Sequence, residues 1–269
     1  MTGRPVVVKF GGELLEETAR LKAIAKVVRQ AASRLPLVVV HGGGREIDRA
    51  LAAAGIGTQQ VDGLRVTDAA TLDVVVSVLA GKVNTQLVAL LNAGGVRAVG
   101  LTGADAGVAP VRKAAAHRSA AGARVSLGLV GDPLPGGTPT LLSRLTGAGF
   151  VPVIASVSAS KAGGLFNVNA DTLAASVAAR LRAKRLVIAG ATAGVLDADG
   201  ATLPLVDATA ARRMVASGSA SAGMVAKLAA CRSAATRGVT DVRIADGRDP
   251  ATLLAALMGE ATGAWTRVK

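Results

Sequence analysis

Two short apolar runs, each halted by glycines, constrain this chain more than anything else in it. Pro5–Phe10 passes through three valines into Gly11-Gly12, and Leu37–Val40 passes into His41-Gly42-Gly43-Gly44. Each run is strand-length and leads into a longer segment of helical character. After the first, Glu13–Arg34 places Leu14, Leu15, Leu21, Ile24 and Val28 at helical spacing; after the second comes Arg45–Ala54. Strands that are apolar on both faces belong in parallel sheets covered by helices, because a parallel pair needs a crossover long enough to hold one. The chain is therefore predicted to be α/β with a mostly parallel sheet.

The alternation continues downstream. Thr67 or Asp68 can cap a long helix reaching about Asn92, Gly94-Gly95 closes it, and Val96–Leu101 is the next strand. From about Ala104 to Pro139 the chain is glycine-rich, with hairpins predicted around Val108–Lys113 and Ala123–Val130. Leu141–Ala148 and Asp171–Arg182 read as helices and Val151–Ala155 and Leu186–Ala189 as strands. Helices around Ala208–Ser217 and Met224–Arg237, the strand Asp241–Ala245 and a short helix near Thr252–Leu257 complete the pattern. Ser156–Asn167, rich in Gly, Ser and Lys, is the candidate lobe boundary or hinge, and reads equally as a surface loop. There is no internal repeat and no linker composition.

Composition narrows the class. The hydrophobic fraction is 51% and the aromatic fraction 1%, so the core must be built from Ala, Val and Leu. The single cysteine, Cys231, excludes an internal disulfide and sits in an Ala-rich run, where a buried small hydrophobe is the expected role. No opening stretch reads as a signal peptide, and the apolar runs Leu37–Val40 and Val151–Ala155 are too short to cross a bilayer. A soluble, cytoplasmic protein is expected. The net charge of +13 invites a nucleic-acid reading. The Lys and Arg residues are scattered, however, and there are almost no aromatics for bases to stack on. Attraction of anionic metabolites is the better account of the charge.

The glycine turns stand at the carboxyl ends of predicted strands, where open α/β sheets bind ligands. Glycine lets backbone N–H groups approach an anion, and a following helix N-terminus adds a favourable dipole. Two such turns, one carrying Lys9, are stronger evidence than either alone; neither is a Walker A loop or a Rossmann fingerprint. In Phe166-Asn167-Val168-Asn169-Ala170-Asp171 the two asparagines alternate on one side of an extended segment before a helix. An Asx turn and N-cap would explain those residue types without any ligand. In Ala222-Gly223-Met224-Val225-Ala226-Lys227, a lysine follows a glycine near a helix start, and a solvated helix lysine is the ordinary explanation.

Taken together, these segments resemble the amino-acid kinase family. The resemblance is carried by Val7-Val8-Lys9-Phe10-Gly11-Gly12, Val40-His41-Gly42-Gly43-Gly44 and Asp62-Gly63-Leu64-Arg65-Val66-Thr67-Asp68. It continues through Phe150-Val151-Pro152-Val153-Ile154, Asn167-Val168-Asn169-Ala170-Asp171, Gly194-Val195-Leu196-Asp197 and Gly223-Met224-Val225-Ala226-Lys227, in family order across nearly the whole chain. It implies a three-layer αβα sandwich with an open central sheet. That is a single kinase domain over 1–269, with an acceptor-binding lobe at about 1–160 and a nucleotide-binding lobe at about 161–269. Gly-Leu-Arg-Val-Thr is the most specific signature. It points to ATP-dependent phosphorylation of the side-chain carboxylate of N-acetyl-L-glutamate, a step of arginine biosynthesis, rather than of aspartate, uridylate or carbamate.

The roles implied are physically coherent. Phosphoryl transfer needs positioning and neutralisation of charge, with little covalent work for the protein. Lys9 and Lys227 would supply positive charge from opposite sides, with Asp171 orienting both. Backbone N–H groups of Gly11, Gly12, Gly43 and Gly44 would hold the phosphoryl oxygens and the acceptor carboxylate. Arg65 would clamp the substrate's α-carboxylate bidentately, and Asn167 and Asn169 would bind its acetamido and carboxylate groups. Thr192, Gly194, Leu196, Ser221, Gly223 and Met224 would face the nucleotide. Mg²⁺ would arrive with ATP rather than in a protein cage.

Three places depart from the family pattern. An aspartate expected just before Gly-Val-Leu is replaced in Gly190-Ala191-Thr192-Ala193-Gly194, which puts the nucleotide-side contacts in question. A Gly-Thr ending is replaced by Ala264-Trp265-Thr266-Arg267, with Trp265 expected to pack on a last strand. A lysine common before the aspartate is lacking in Leu101-Thr102-Gly103-Ala104-Asp105. The chain also enters its first strand by Val6, without the extra N-terminal helix of arginine-inhibited relatives. A homodimer without arginine feedback is therefore expected, joined through the helix around Asp68–Asn92. Two other readings stay open: a sister kinase acting on a carrier-linked aminoadipate or glutamate, and an impaired kinase fold that binds acidic metabolites without turnover.

Overall fold

The computed structural model describes residues 3–119, 122–218 and 220–269. Eight strands form the central sheet: β1 (Val6–Phe10), β2 (Leu37–His41), β3 (Ala98–Thr102), β4 (Val151–Ala155), β5 (Arg185–Gly190), β6 (Leu205–Val206), β7 (Val242–Asp246) and β8 (Trp265–Val268). Their order is β6-β8-β7-β5-β1-β2-β4-β3. Neighbours run parallel except β7 and β8, which pair antiparallel. The helices are α1 (Thr18–Ala32), α2 (Gly44–Ala53), α3 (Ala69–Ala93), α4 (Thr140–Gly147), α5 (Ala170–Arg180), α6 (Ala208–Ala216), α7 (Ala222–Thr236) and α8 (Pro250–Met258). The α/β expectation, with a mostly parallel sheet between helical layers, is met.

Every residue of β1, β2, β4 and β5 is buried, because successive side chains go into opposite helical layers. Val7, Val38, Val40, Leu186 and Ile188 pack with Leu173 and Ala174 of α5 and Leu228 and Cys231 of α7. Val6, Val8, Phe10 and Val39 pack instead with Ile24 and Val28 of α1, Leu87 and Leu91 of α3, and Leu253 and Leu257 of α8. Cys231 is fully buried and burial pushes its thiol far up, so it serves as core. Trp265 is likewise buried on β8, with the Arg243 guanidinium 4.7 Å from its ring centre.

The differences from the sequence pattern are local. The first helix begins at Thr18, because Gly12–Leu14 first makes a tight 3₁₀ turn that seats Leu14 in the core. The two predicted hairpins after Ala104 are nested: Val111–Lys113 pairs with Gly131–Pro133, and His117–Arg118 pairs with Arg124–Val125 inside it. The Ser156–Asn167 stretch is itself a hairpin, Val157–Ala159 with Leu165–Asn167, and it buries Val157 and Phe166.

Helix α3 carries a feature with no sequence signal. Asp68 caps it by accepting the Thr71 N–H at 2.8 Å, as expected, but Ser77–Val83 widens into a π-turn. Such turns often mark functional sites because they re-aim the side chains that follow. Here Asn84 donates to His41 Nε2 at 3.0 Å and to the Val153 carbonyl at 2.9 Å. By length and composition α3 could cross a bilayer. Within the fold it buries Leu72, Val75, Leu79, Leu87 and Leu91.

Candidate functional site

Strand parity fixes the centre of the site. Lys9 lies two residues beyond Val7 on β1, so its side chain faces α5, whose second residue is Asp171. Lys9 Nζ and Asp171 Oδ1 form an ion pair at 2.9 Å, with side chains 8% and 7% exposed. A buried pair of this kind is a poor source of stability, yet losing either member strands a charge. Its position at the carboxyl end of the central strand is better explained by chemistry than by folding.

The two glycine loops touch backbone to backbone. A Cβ on Gly12 would lie 2.9 Å from Gly43 Cα and 3.0 Å from Gly44 N, so glycine is needed there for close approach. His41 fixes the second loop from inside: Nδ1 donates to the Gly42 carbonyl at 3.0 Å while Nε2 accepts from Asn84. Burial lowers the His41 pKa from its ordinary 6.5 to about 4, the hydrogen bond to Gly42 opposing the shift, so the ring is neutral near pH 7.

A small hairpin brings the next wall. Gln60–Val61 pairs with Leu64–Arg65 across Asp62-Gly63, whose φ angles of 50° and 76° are those of a type I′ turn. Arg65 Nη2 donates to Asp48 Oδ1 on α2 at 2.6 Å, and the Arg65 side chain is 9% exposed. Its Nη1 is buried without a protein partner. A buried guanidinium nitrogen left unpaired asks for an acceptor from outside the chain.

Asn167 ends the neighbouring hairpin and donates from Nδ2 to Thr67 Oγ1 at 3.1 Å. Asn169 Oδ1 accepts the Asp171 and Thr172 N–H groups, each at 3.0 Å, as the N-cap of α5. A cavity of about 450 Å³ joins these groups. Lys9, Gly12 and Asp171 line one part of it, Gly43, Gly44 and Arg65 another, with Asn167 and Asn169 between. These predicted residues come together although up to 162 positions separate them in sequence, from Lys9 to Asp171.

The remaining predicted residues lie along the carboxyl edge of β5 and the start of α7, outside that cavity. Lys227 reaches the same edge: a Cβ on Gly190 would meet its Cε at 3.5 Å. Asp171 pairs with Lys9, and Lys227 has no ion pair among the described residues. Gly194 has φ 131°, and a Cβ there would stand 2.6 Å from Thr266 Oγ1, so this glycine admits β8. Ser221 caps α7, accepting the Met224 N–H at 3.4 Å, with Gly223 in the first turn near Lys227. Thr192 and Leu196 are exposed. Gly11 corrects the expectation that its N–H holds a phosphoryl oxygen: it lies beneath the carboxylate of Glu13, and its N–H donates to the Ala189 carbonyl at 3.0 Å.

Sequence reasoning passed over Glu13 and Asp48, both of which line the cavity, and gave His41 no role of its own. Glu13 stands directly after the glycine pair, a position that could have drawn attention. Asp48 looks like any helix carboxylate until the hairpin brings Arg65 to it.

The model described as amino acid kinase family matches residues 4–246. The chain is 40% identical over 264 residues to an acetylglutamate kinase of Rhodopseudomonas palustris, a match covering 96% of this chain and 88% of that protein. It is 40% identical over 258 residues to an acetylglutamate kinase of Symbiobacterium thermophilum, covering 94% of this chain and 87% of that one. A solved N-acetylglutamate synthase from Neisseria gonorrhoeae, complexed with coenzyme A and N-acetyl-glutamate, superposes with a TM-score of 0.83 at 25% identity. That superposition covers 100% of this chain and 60% of the synthase, so this chain spans about three fifths of that protein's length.

Proposed function

This chain belongs to the amino acid kinase family, and we propose that it transfers the γ-phosphoryl group of ATP to the side-chain carboxylate of N-acetyl-L-glutamate. The product is N-acetylglutamyl 5-phosphate, and the step belongs to arginine biosynthesis. The observation that carries the acceptor assignment is Arg65, held by Asp48 with Nη1 buried and unpaired in the cavity that also contains Lys9 and the Gly43-Gly44 loop. One cavity thus offers the unpaired arm of the Arg65 guanidinium for one carboxylate and a cationic glycine cradle for another, as a substrate with two carboxylates requires.

The transfer forms a bond between a carboxylate oxygen of the acceptor and the γ-phosphorus, and breaks the bond from that phosphorus to the β–γ bridging oxygen, which leaves on ADP. Lys9 neutralises charge on the transferring group, with its ammonium aimed by Asp171. Lys227, without an ion pair among the described residues, meets the nucleotide phosphates from the β5 side. Arg65 takes the α-carboxylate, and Asn167, oriented by Thr67, takes the acetamido group. Asn169 contributes by capping α5 and so placing Asp171. Thr192, Gly194, Leu196, Ser221, Gly223 and Met224 line the nucleotide's approach.

Mg²⁺ fits this site as a companion of the nucleotide. Among the described residues no three His, Cys, Asp or Glu side chains cluster as a metal cage. Asp48 and Asp171 are engaged by Arg65 and Lys9, which leaves Glu13 as the cavity carboxylate able to face a cation. When bound, the ion neutralises phosphate charge. Two copies of the chain pair through α3, whose 25 residues have a mean hydropathy of 1.7 in their most apolar stretch, with 39% of it buried. The working compartment is the cytoplasm. The test is ATP consumption by the purified chain with and without N-acetyl-L-glutamate. Acetylglutamate-dependent ADP release supports the assignment; release that requires a carrier-linked substrate, or none at all, overturns it.

A further inference from the structure

Glu13 enters the transfer above only as the cavity carboxylate free to face a cation, and its placement is specific. The 3₁₀ turn Gly12–Leu14 folds it back over the first glycine loop, and Arg20 Nη1 anchors that turn by donating to the Glu13 carbonyl at 2.9 Å. A Cβ on Gly11 would lie 2.3 Å from both carboxylate oxygens, so glycine at that position is what admits the side chain. Oε1 accepts the Ala191 N–H at 3.3 Å. A Cβ on Gly190 would meet both Oε1, at 3.3 Å, and Lys227 Cε, at 3.5 Å. The carboxylate therefore reaches from the first glycine loop to the end of β5, near the Lys227 side chain.

Its carboxylate takes part in no direct ion pair among the described residues, whereas Asp171 is paired with Lys9 and Asp48 with Arg65 in the same cavity. An unpaired carboxylate beside a site for phosphates repels them unless a cation lies between. It also comes to rest on the backbone of Ala191, the position where the family resemblance leads one to expect an aspartate. Residue 191 itself offers no carboxylate, and Glu13 brings one to its backbone N–H from the turn after β1.

We propose that Glu13 is the nucleotide-side carboxylate of this protein, facing the divalent cation that accompanies ATP at the end of β5. This rests on the kinase reading, but its test needs no acceptor. Binding of ADP is measured by calorimetry with and without Mg²⁺, in the wild-type chain, Glu13→Gln, and the relocated pair Glu13→Gln/Ala191→Asp. With Mg²⁺, Glu13→Gln should bind ADP about tenfold more weakly, as befits a lost carboxylate facing the cation. Without Mg²⁺ it should bind ADP as tightly as the wild type or more tightly, because a repulsive charge is gone. The relocated pair should recover most of the Mg²⁺-dependent gain.

Equal weakening in both conditions would mean that Glu13 merely supports the loop, and would overturn the proposal. So would unchanged binding, tighter binding in both conditions, or no nucleotide binding by the wild type. Melting curves check that each variant is folded; if Glu13→Gln is not, Glu13→Ala read against Glu13→Ala/Ala191→Asp makes the same comparison. If the wild type binds MgADP as described but leaves N-acetylglutamate unphosphorylated, the acceptor assignment fails while the role of Glu13 stands.

Discussion

The two sides of the site are built differently. On the acceptor side, nearly every functional side chain is held by another: Lys9 by Asp171, Arg65 by Asp48, Asn167 by Thr67, and His41 by Asn84 and the Gly42 carbonyl. On the nucleotide side, the chain from Gly190 into α7 offers backbone and caps. Asp197 accepts from Asp199 and Ala201 in its own turn, Ser221 caps its own helix, and Leu196 stands 43% exposed. The first arrangement is organised before any ligand arrives; the second presents a backbone surface on which the ligand's own interactions must do more of the positioning. Single substitutions should therefore cost most on the acceptor side.

The largest effect is expected at Lys9. Lys9→Ala removes the cation proposed to face the transferring group, and turnover should fall by about 10²–10³-fold or more, while N-acetylglutamate binding survives. The same change leaves Asp171 as a buried unpaired charge, which costs about 3–5 kcal/mol of stability. Rates must therefore be read on the folded fraction, established by thermal melting. Near-wild-type turnover in folded Lys9→Ala would remove the lysine from the chemistry and erase the contrast between the two sides.

Next comes acid sensitivity. His41 has an ordinary pKa of 6.5 in the unfolded chain and one near 4 in the fold. The unfolded state therefore takes up the proton first. Stability is unaffected by this group above about pH 6.5, falls as pH drops toward 4, and levels off below that. The full loss from a shift of this size is about 3 kcal/mol. Melting temperatures of the wild type and His41→Gln should converge as pH falls from 7.5 to 4.5, because the variant lacks the titration. Parallel curves would show that the acceptor-side loop is not held by a neutral imidazole.

Arg65→Lys follows. The charge is kept, but the fork between Asp48 and the substrate is lost. Removal of one charge-assisted hydrogen bond should raise the KM for N-acetylglutamate by roughly 10- to 100-fold with little change in kcat. An unchanged KM takes Arg65 out of the acceptor site, and an equal fall in kcat would mean the contact forms only in the transition state.

Much of this is legible in the sequence. Continuous apolar runs and glycine stops identify β1 and β2 and place Lys9, Gly12, Gly43 and Gly44 at one edge, because those signals are local. Asp68 announces itself as a cap for the same reason. What stayed hidden depends on distance. Asp48 pairs with a residue 17 positions away and Thr67 with one 100 positions away, and Asn84 reaches His41 through a π-turn without a composition signal. Asn169 lines the cavity as the resemblance implies, and the second task of its Oδ1, capping α5, shows only in the fold. Glu13 looked like the start of a helix, and the 3₁₀ turn that folds it over Gly11 is set by the burial of Leu14 rather than by propensity.

The smallest effect should come from the nucleotide side. Thr192 is exposed and its hydroxyl has no hydrogen bond among the described residues, so Thr192→Ala deletes no partner from the free protein. Stability should change by no more than about 0.5 kcal/mol, and the KM for ATP by less than about threefold. The backbone at Ala191 and Gly190, which the substitution does not alter, is what the Glu13 carboxylate grips. A rise in ATP KM comparable with the acetylglutamate effect of Arg65→Lys would show that the hydroxyl is recruited on binding. Nucleotide recognition would then depend on particular side chains as strongly as acceptor recognition does, organised by the ligand instead of beforehand. A change within threefold leaves the asymmetry as drawn, with side chains reading the acceptor and mainly backbone, Lys227 and a cation-facing carboxylate reading the nucleotide.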